Sequence, residues 1–129
     1  MIFVDTSVWI AAFRGTNHPL RRQLDELLDL DAVAVPVPVR VEILAGCKPK
    51  GQAGMREMLS ALPTFYPSTS TWASLDRWIE TATRSGHQFA LGDLLIAAIT
   101  SEQKGRVWSL DEDFARLKKL KLVETYDLQ

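Results

Sequence analysis

Short apolar runs that stop at an acid, with stretches of helical period between them, constrain this chain more than any other feature. Residues 2–4 are β-branched and aromatic, suit a buried strand, and end at Asp5. Residues 106–110 read as a second strand of this kind, ending at Asp111. Residues 32–35 give another, closed by Pro36 and Pro38, and shorter runs fall at 64–66 and 122–125. Between them, Leu20, Leu24, Leu27 and Leu28 recur at helical spacing, as do Met55, Met58, Leu59 and Leu62, and then Trp72, Leu75, Ile79 and Ala82. Further helices are expected from Thr6 or Ser7 through Ala12, from Pro38 to Gly46, over residues 91–99, and over 111–120. Short strands alternating with helices build βαβ units. The expected fold class is therefore α/β, a three-layer α/β/α sandwich around a mostly parallel sheet.

The chain has 129 residues, the size of a single domain spanning 1–129. Its hydrophobic fraction of 47% is enough to bury a core without covalent staples. Cys47 is the only cysteine, which excludes an intramolecular disulfide, and it is expected to be a small buried apolar residue. The opening MIFVDTSVWI has no positive leader region, and no apolar run approaches the roughly 20 residues that span a bilayer. A cytoplasmic protein is expected. The net charge of -1 is not the footprint of a protein that holds nucleic acid by bulk electrostatics. A polyanionic substrate would need a local source of positive charge, and a bound divalent metal supplies one.

The candidate site is a set of acids in apolar surroundings. Asp5 and Asp111 follow strands, and in an open parallel sheet the strand C-terminal ends form the ligand edge. Asp93 opens the most apolar helix, followed by Leu94-Leu95-Ile96-Ala97-Ala98, and Glu42 sits within Val39-Arg40-Val41-Glu42-Ile43-Leu44. Each has a plainer reading. Asp5 and Asp111 suit helix caps, Asp93 complements a helix dipole, and Glu42 can pair with Arg40 or a lysine. Taken together, converging carboxylates repel and carry a desolvation cost that a hard cation removes. Oxygen donors select Mg²⁺ or Mn²⁺. His18 and His87 both fall in expected loops, with no zinc spacing.

Four stretches in order carry a resemblance. They are Val4-Asp5-Thr6-Ser7-Val8-Trp9-Ile10, Val41-Glu42-Ile43, Gly92-Asp93-Leu94-Leu95-Ile96-Ala97-Ala98, and Trp108-Ser109-Leu110-Asp111-Glu112-Asp113-Phe114. Across essentially the whole chain this pattern resembles the PIN-domain ribonucleases, and most closely the VapC toxins of bacterial toxin–antitoxin pairs. The resemblance implies a Mg²⁺- or Mn²⁺-dependent endoribonuclease that hydrolyses RNA phosphodiesters by metal-activated water. It also implies a homodimer inhibited by a cognate antitoxin. By the same resemblance Asp5, Glu42, Asp93 and Asp111 are the catalytic acids, with Asp5, Asp93, Asp111 and Asp113 as metal ligands. Asp111 is placed first and Asp113 as auxiliary. Thr6 or Ser7 would orient Asp5 or a metal-bound water. The threonine usual before the fourth acid is replaced here by Trp108 or Ser109, a departure from the pattern.

Arg14, Arg40, Lys48 and Lys50 are candidate contacts for the RNA backbone, and solvated surface charge explains each of them equally well. Two other readings stay open at this point. One is a phosphoryl-transfer domain with an aspartate nucleophile, which needs a lysine near a strand end. The other is a non-catalytic protein-binding module using Trp9, Trp72 or Trp78; for Trp72 core packing is the better expectation.

Overall fold

The computed structural model describes residues 1–128. Strand β1 (Ile2–Val4) leads into α1 (Thr6–Arg14) and α2 (His18–Asp29). Strand β2 (Val33–Pro36) is followed by α3 (Val37–Gly46) and α4 (Pro49–Ser60), then β3 (Thr64–Phe65) and the long α5 (Thr69–Arg84). Helix α6 (Leu91–Glu102), β4 (Arg106–Trp108), α7 (Glu112–Lys119) and β5 (Glu124–Thr125) complete the chain. The strands form one five-stranded sheet in the order β3-β2-β1-β4-β5, and every pairing is parallel. The α/β expectation holds.

Side chains of β1 alternate between the two faces, as a pleated strand requires. Ile2 and Val4 join the large core with Val8, Trp9, Leu24 and Val35, while Phe3 packs on the other face with Ala34, Ile99 and Phe65. Burial on both faces explains why β1 has no polar residue. Gly105, just before β4, serves the second face. A Cβ there would stand 2.6 Å from the Phe3 ring and 2.9 Å from the Met1 carbonyl oxygen, so only glycine lets β4 lie this close to β1.

The strand order decides where a site can form. From β1 the chain steps outward to β2 and β3, then returns to place β4 on the other side of β1. The reversal point lies between β1 and β4, and in doubly wound sheets ligands bind beyond the carboxyl ends of the strands at this point. Val4 pairs with Trp108, so the two strands end side by side there.

Several local expectations need correction. Strand β4 ends at Trp108, not at residue 110, because Ser109 and Leu110 turn toward Asp111, the cap of α7. His18 lies in the first turn of α2 behind an Asn17 cap rather than in a loop, whereas His87 does lie in a loop. Helix α4 begins at Pro49, well before Met55, because Pro49 in the first turn sets its start while Gly51 and Gly54 leave no apolar period there.

The stripe on α5 holds at Leu75 and Ala82 and fails at Trp72 and Ile79. Thr71, Leu75 and Ala82 are buried, whereas Trp72 is 48% exposed and Ile79 52% exposed. The Thr71 hydroxyl accepts a hydrogen bond from the Ser68 N–H at 2.9 Å, and this cap turns Thr71 inward and Trp72 out. Trp9, by contrast, is a core residue. Cys47 is only half-buried, packed against the core edge.

Candidate active site

Asp5 is buried at the end of β1 and caps α1. Its Oδ2 accepts hydrogen bonds from the Ser7 hydroxyl at 2.7 Å and the Ser109 hydroxyl at 2.7 Å. Each hydroxyl has one proton, and both protons are spent on Asp5. Their lone pairs then accept backbone donors, Leu110 N–H to Ser7 Oγ at 3.0 Å and Asp111 N–H to Ser109 Oγ at 2.9 Å. The carboxylate is thus a bracket between the ends of β1 and β4, and these bonds leave its Oδ1 open. Of the two residues expected to orient Asp5, Ser7 does so and Thr6 does not. Ser109, which the sequence pattern marks only as a departure, is the second brace. The signal that could have found it is its place after a strand that neighbours β1.

Asp93 lies half-buried in the first turn of α6, whose cap, Ala90, offers no side-chain partner. Asp111 caps α7 through the Asp113 N–H at 2.9 Å, so the plain capping role and a place in the site coexist. Oxygens of Asp93, Asp111 and Asp113 lie within 4.8 Å of one another. Arg116 pairs with Asp113 at 2.7 Å, which engages one of that residue's oxygens and leaves the other. The Asp93 carboxyl is pushed up to about 6 by burial and by the charges of Asp111, Asp5, Asp113 and Glu42. One group therefore senses the other four acids.

Glu42 projects from α3 with its carboxyl pushed above the ordinary range by burial and by Asp5, an effect that the nearby Thr6 hydroxyl partly offsets. The Thr6 hydroxyl is buried close to this carboxyl but lacks good hydrogen-bonding geometry to any partner. The expected alternative for Glu42, a pair with Arg40 or a lysine, is not seen among the described residues. Arg40 precedes Glu42 on α3 by half a turn, and Lys48 and Lys50 flank the start of α4. Arg14 sits in the last turn of α1, roughly 13 Å along the helix from Asp5 at 1.5 Å per residue. It stands away from the acids.

The donor set is all carboxylate, with no histidine or thiol among the clustered groups, and hard divalent cations prefer such oxygen ligands. The structure thus brings Asp5, Glu42, Asp93, Asp111 and Asp113 to one edge at the reversal point of the sheet. The PIN domain family model matches residues 2–120.

The chain belongs to the PIN-domain family. Among similar proteins, Ribonuclease VapC5 of Mycobacterium tuberculosis is 31% identical over 124 residues, covering 88% of this chain and 85% of the relative. Ribonuclease VapC11 of the same species is 27% identical over 119 residues, covering 88% and 89%. Two solved structures share the fold. VapBC-5 of M. tuberculosis, a member of the VapBC family of toxin-antitoxin systems, superimposes with a TM-score of 0.64 at 30% identity over 96% of each chain. VapBC2 of Rickettsia felis, bound to a promoter DNA fragment, gives 0.80 at 17% identity over 100% of each. In this PIN domain no described helix is long and apolar enough to cross a membrane.

Proposed function

We propose that this PIN domain is a Mg²⁺-dependent endoribonuclease, with Mn²⁺ as a substitute, and the toxin of a cytoplasmic toxin–antitoxin pair. The observation that carries the reading is the gathering of five acids where β1 and β4 end together, with Asp93 raised by burial and by the charges of the other four. Such an arrangement is costly until a cation offsets it. Asp93, Asp111, Asp113 and the open oxygen of Asp5 would hold the ion. When bound, it lowers the pKa of water and neutralises charge on phosphoryl oxygens.

The chain's own residues do the rest. Ser7 and Ser109 fix Asp5 so that its free oxygen points one way before substrate arrives. Glu42, raised and close to Asp5, takes the proton of the attacking water. The water oxygen bonds to phosphorus in line as the bond to the 3′ oxygen breaks; that oxygen leaves with the electron pair and takes a proton from solvent, giving a 5′-phosphate and a 3′-hydroxyl. No covalent enzyme intermediate and no histidine is needed.

The partners follow from kinship and surface. Similar solved structures are VapBC assemblies. Trp72, Ile79, Ile10 and Phe13 leave apolar area exposed here, which suits a cognate antitoxin and a homodimer. The test is cleavage of single-stranded RNA by the purified chain. Activity should require Mg²⁺ or Mn²⁺ and vanish in chelator; cleavage that persists in chelator would refute the metal reading.

A further inference from the structure

Beside the acids lies a groove of about 490 Å³ that the reaction above does not use. It runs between α7 and the ends of β4 and β5. Ser109 and Asp111 form its end nearest the acids, Phe114 and Tyr126 contribute to its floor, and Lys118 and Lys119 stand on its far wall. Its volume is within the roughly 300–1,000 Å³ of ordinary ligand sites. We infer that this groove is a subsite for the RNA strand next to the scissile phosphate, with Lys118 and Lys119 binding its phosphates. The inference rests on the nuclease reading and adds to it the path of the substrate.

Three observations support it. First, groove and acids share Ser109 and Asp111, so a strand whose phosphate meets the acids runs into the groove without a break. Lys118 lies seven residues beyond Asp111, two turns along one face of α7 and roughly 10 Å away by helical rise.

Second, Lys118 and Lys119 put positive charge at the α7 end of the groove, with Asp111 and Asp127 also on its lining. The chain carries a net charge of -1 and an acidic site, so RNA needs a local positive wall beside the acids. Third, these lysines are uncommitted. Every ion pair among the described residues uses an arginine, and Arg116, in the same turn as the lysines, is held by Glu112 and Asp113. The competing role for Lys118 and Lys119 is to complement the C-terminal dipole of α7. That role affects stability but not substrate binding.

The test uses the full chain, Mn²⁺ and an end-labelled single-stranded RNA, with KM, kcat and the salt dependence of KM measured. The variant Lys118→Gln with Lys119→Gln is compared with Lys104→Gln plus Lys121→Gln, which removes the same charge from the groove at the opposite end of the sheet. The first pair should raise KM on the order of five- to tenfold, leave kcat within about twofold, and lower the log–log salt slope by about 0.7 for each phosphate no longer neutralised. The second pair should leave KM and the slope near wild type. If the two double variants behave alike, the subsite is refuted, and a lowered melting temperature with unchanged KM assigns the lysines to the helix end. A wild-type chain that cleaves no RNA refutes the nuclease reading and the subsite with it.

Discussion

Asp5 and Asp93 face the same cluster, yet the fold treats them in opposite ways. Asp5 is more deeply buried, but two serine hydroxyls and the start of α1 meet its charge. Asp93 is less buried, has no hydrogen-bond donor among the described residues, and is pushed up to about 6 by burial and its neighbours. Depth of burial is therefore not what separates the two acids in hydrogen bonding: one is supplied with donors and the other is not. The protein supplies donors to one oxygen of Asp5 and none to Asp93 among the described residues, and the proposed cation would meet the oxygens left over on both.

The largest expected effect is shared by the two residues, and stability then separates them. Asp5→Ala and Asp93→Asn should each lower RNA cleavage by roughly 10²–10⁴-fold, in the range of losing a catalytic acid or base. Asp5→Ala should also cost roughly 2–4 kcal/mol in chemical denaturation, because it strips a helix cap and the acceptor of two hydroxyls. Asp93→Asn should instead stabilise the metal-free protein at neutral pH by on the order of 1 kcal/mol. The shift would nominally be worth more, but water screens a group that is only half-buried. Equal losses of stability in the two variants would erase the contrast.

A smaller change tests the brace. Ser109→Ala removes one donor to Asp5 and the acceptor of the Asp111 N–H, so it should destabilise by about 1 kcal/mol. Cleavage should fall about tenfold while the metal requirement persists. Wild-type activity in this variant would show that the bracket between β1 and β4 is not what positions Asp5.

The smallest effect is the pH slope of stability without metal. Because the folded protein holds the Asp93 proton more tightly than the unfolded chain does, this group favours folding most below about pH 4. Its contribution declines as pH rises from the ordinary carboxyl value of 3.8 toward about 6, and Glu42 adds to the same trend. Denaturation midpoints across that window should show the decline in wild type and a shallower one in Asp93→Asn. Identical slopes would mean that Asp93 is not the strained group.

The two sides of this comparison are legible in the sequence to different degrees. Asp5 and Asp93 stand out because each interrupts an apolar run, and a single chain position carries that signal. Ser109 and the lysine groove depend on β4 lying against β1 and on α7 crossing beyond it, which are tertiary facts without a local pattern. The end of β4 is hard to place because Leu110 extends the apolar run past the last paired residue, Trp108. The phase of α5 is hidden for a related reason, since the small Thr71 is buried through its cap while the large Trp72 faces out. Size and apolarity point one way, and hydrogen bonding decides the other.

The central claim is that Asp93 is held without a partner so that a cation can complete it. Carbon-detected NMR titration of the Asp93 carboxyl, without and with saturating Mg²⁺, tests this most directly. Without metal, the carboxyl should titrate near 6; with Mg²⁺ it should stay ionised through that range and titrate only at markedly lower pH. An ordinary carboxyl titration in the metal-free protein, or one near 6 that Mg²⁺ leaves unmoved, would contradict it.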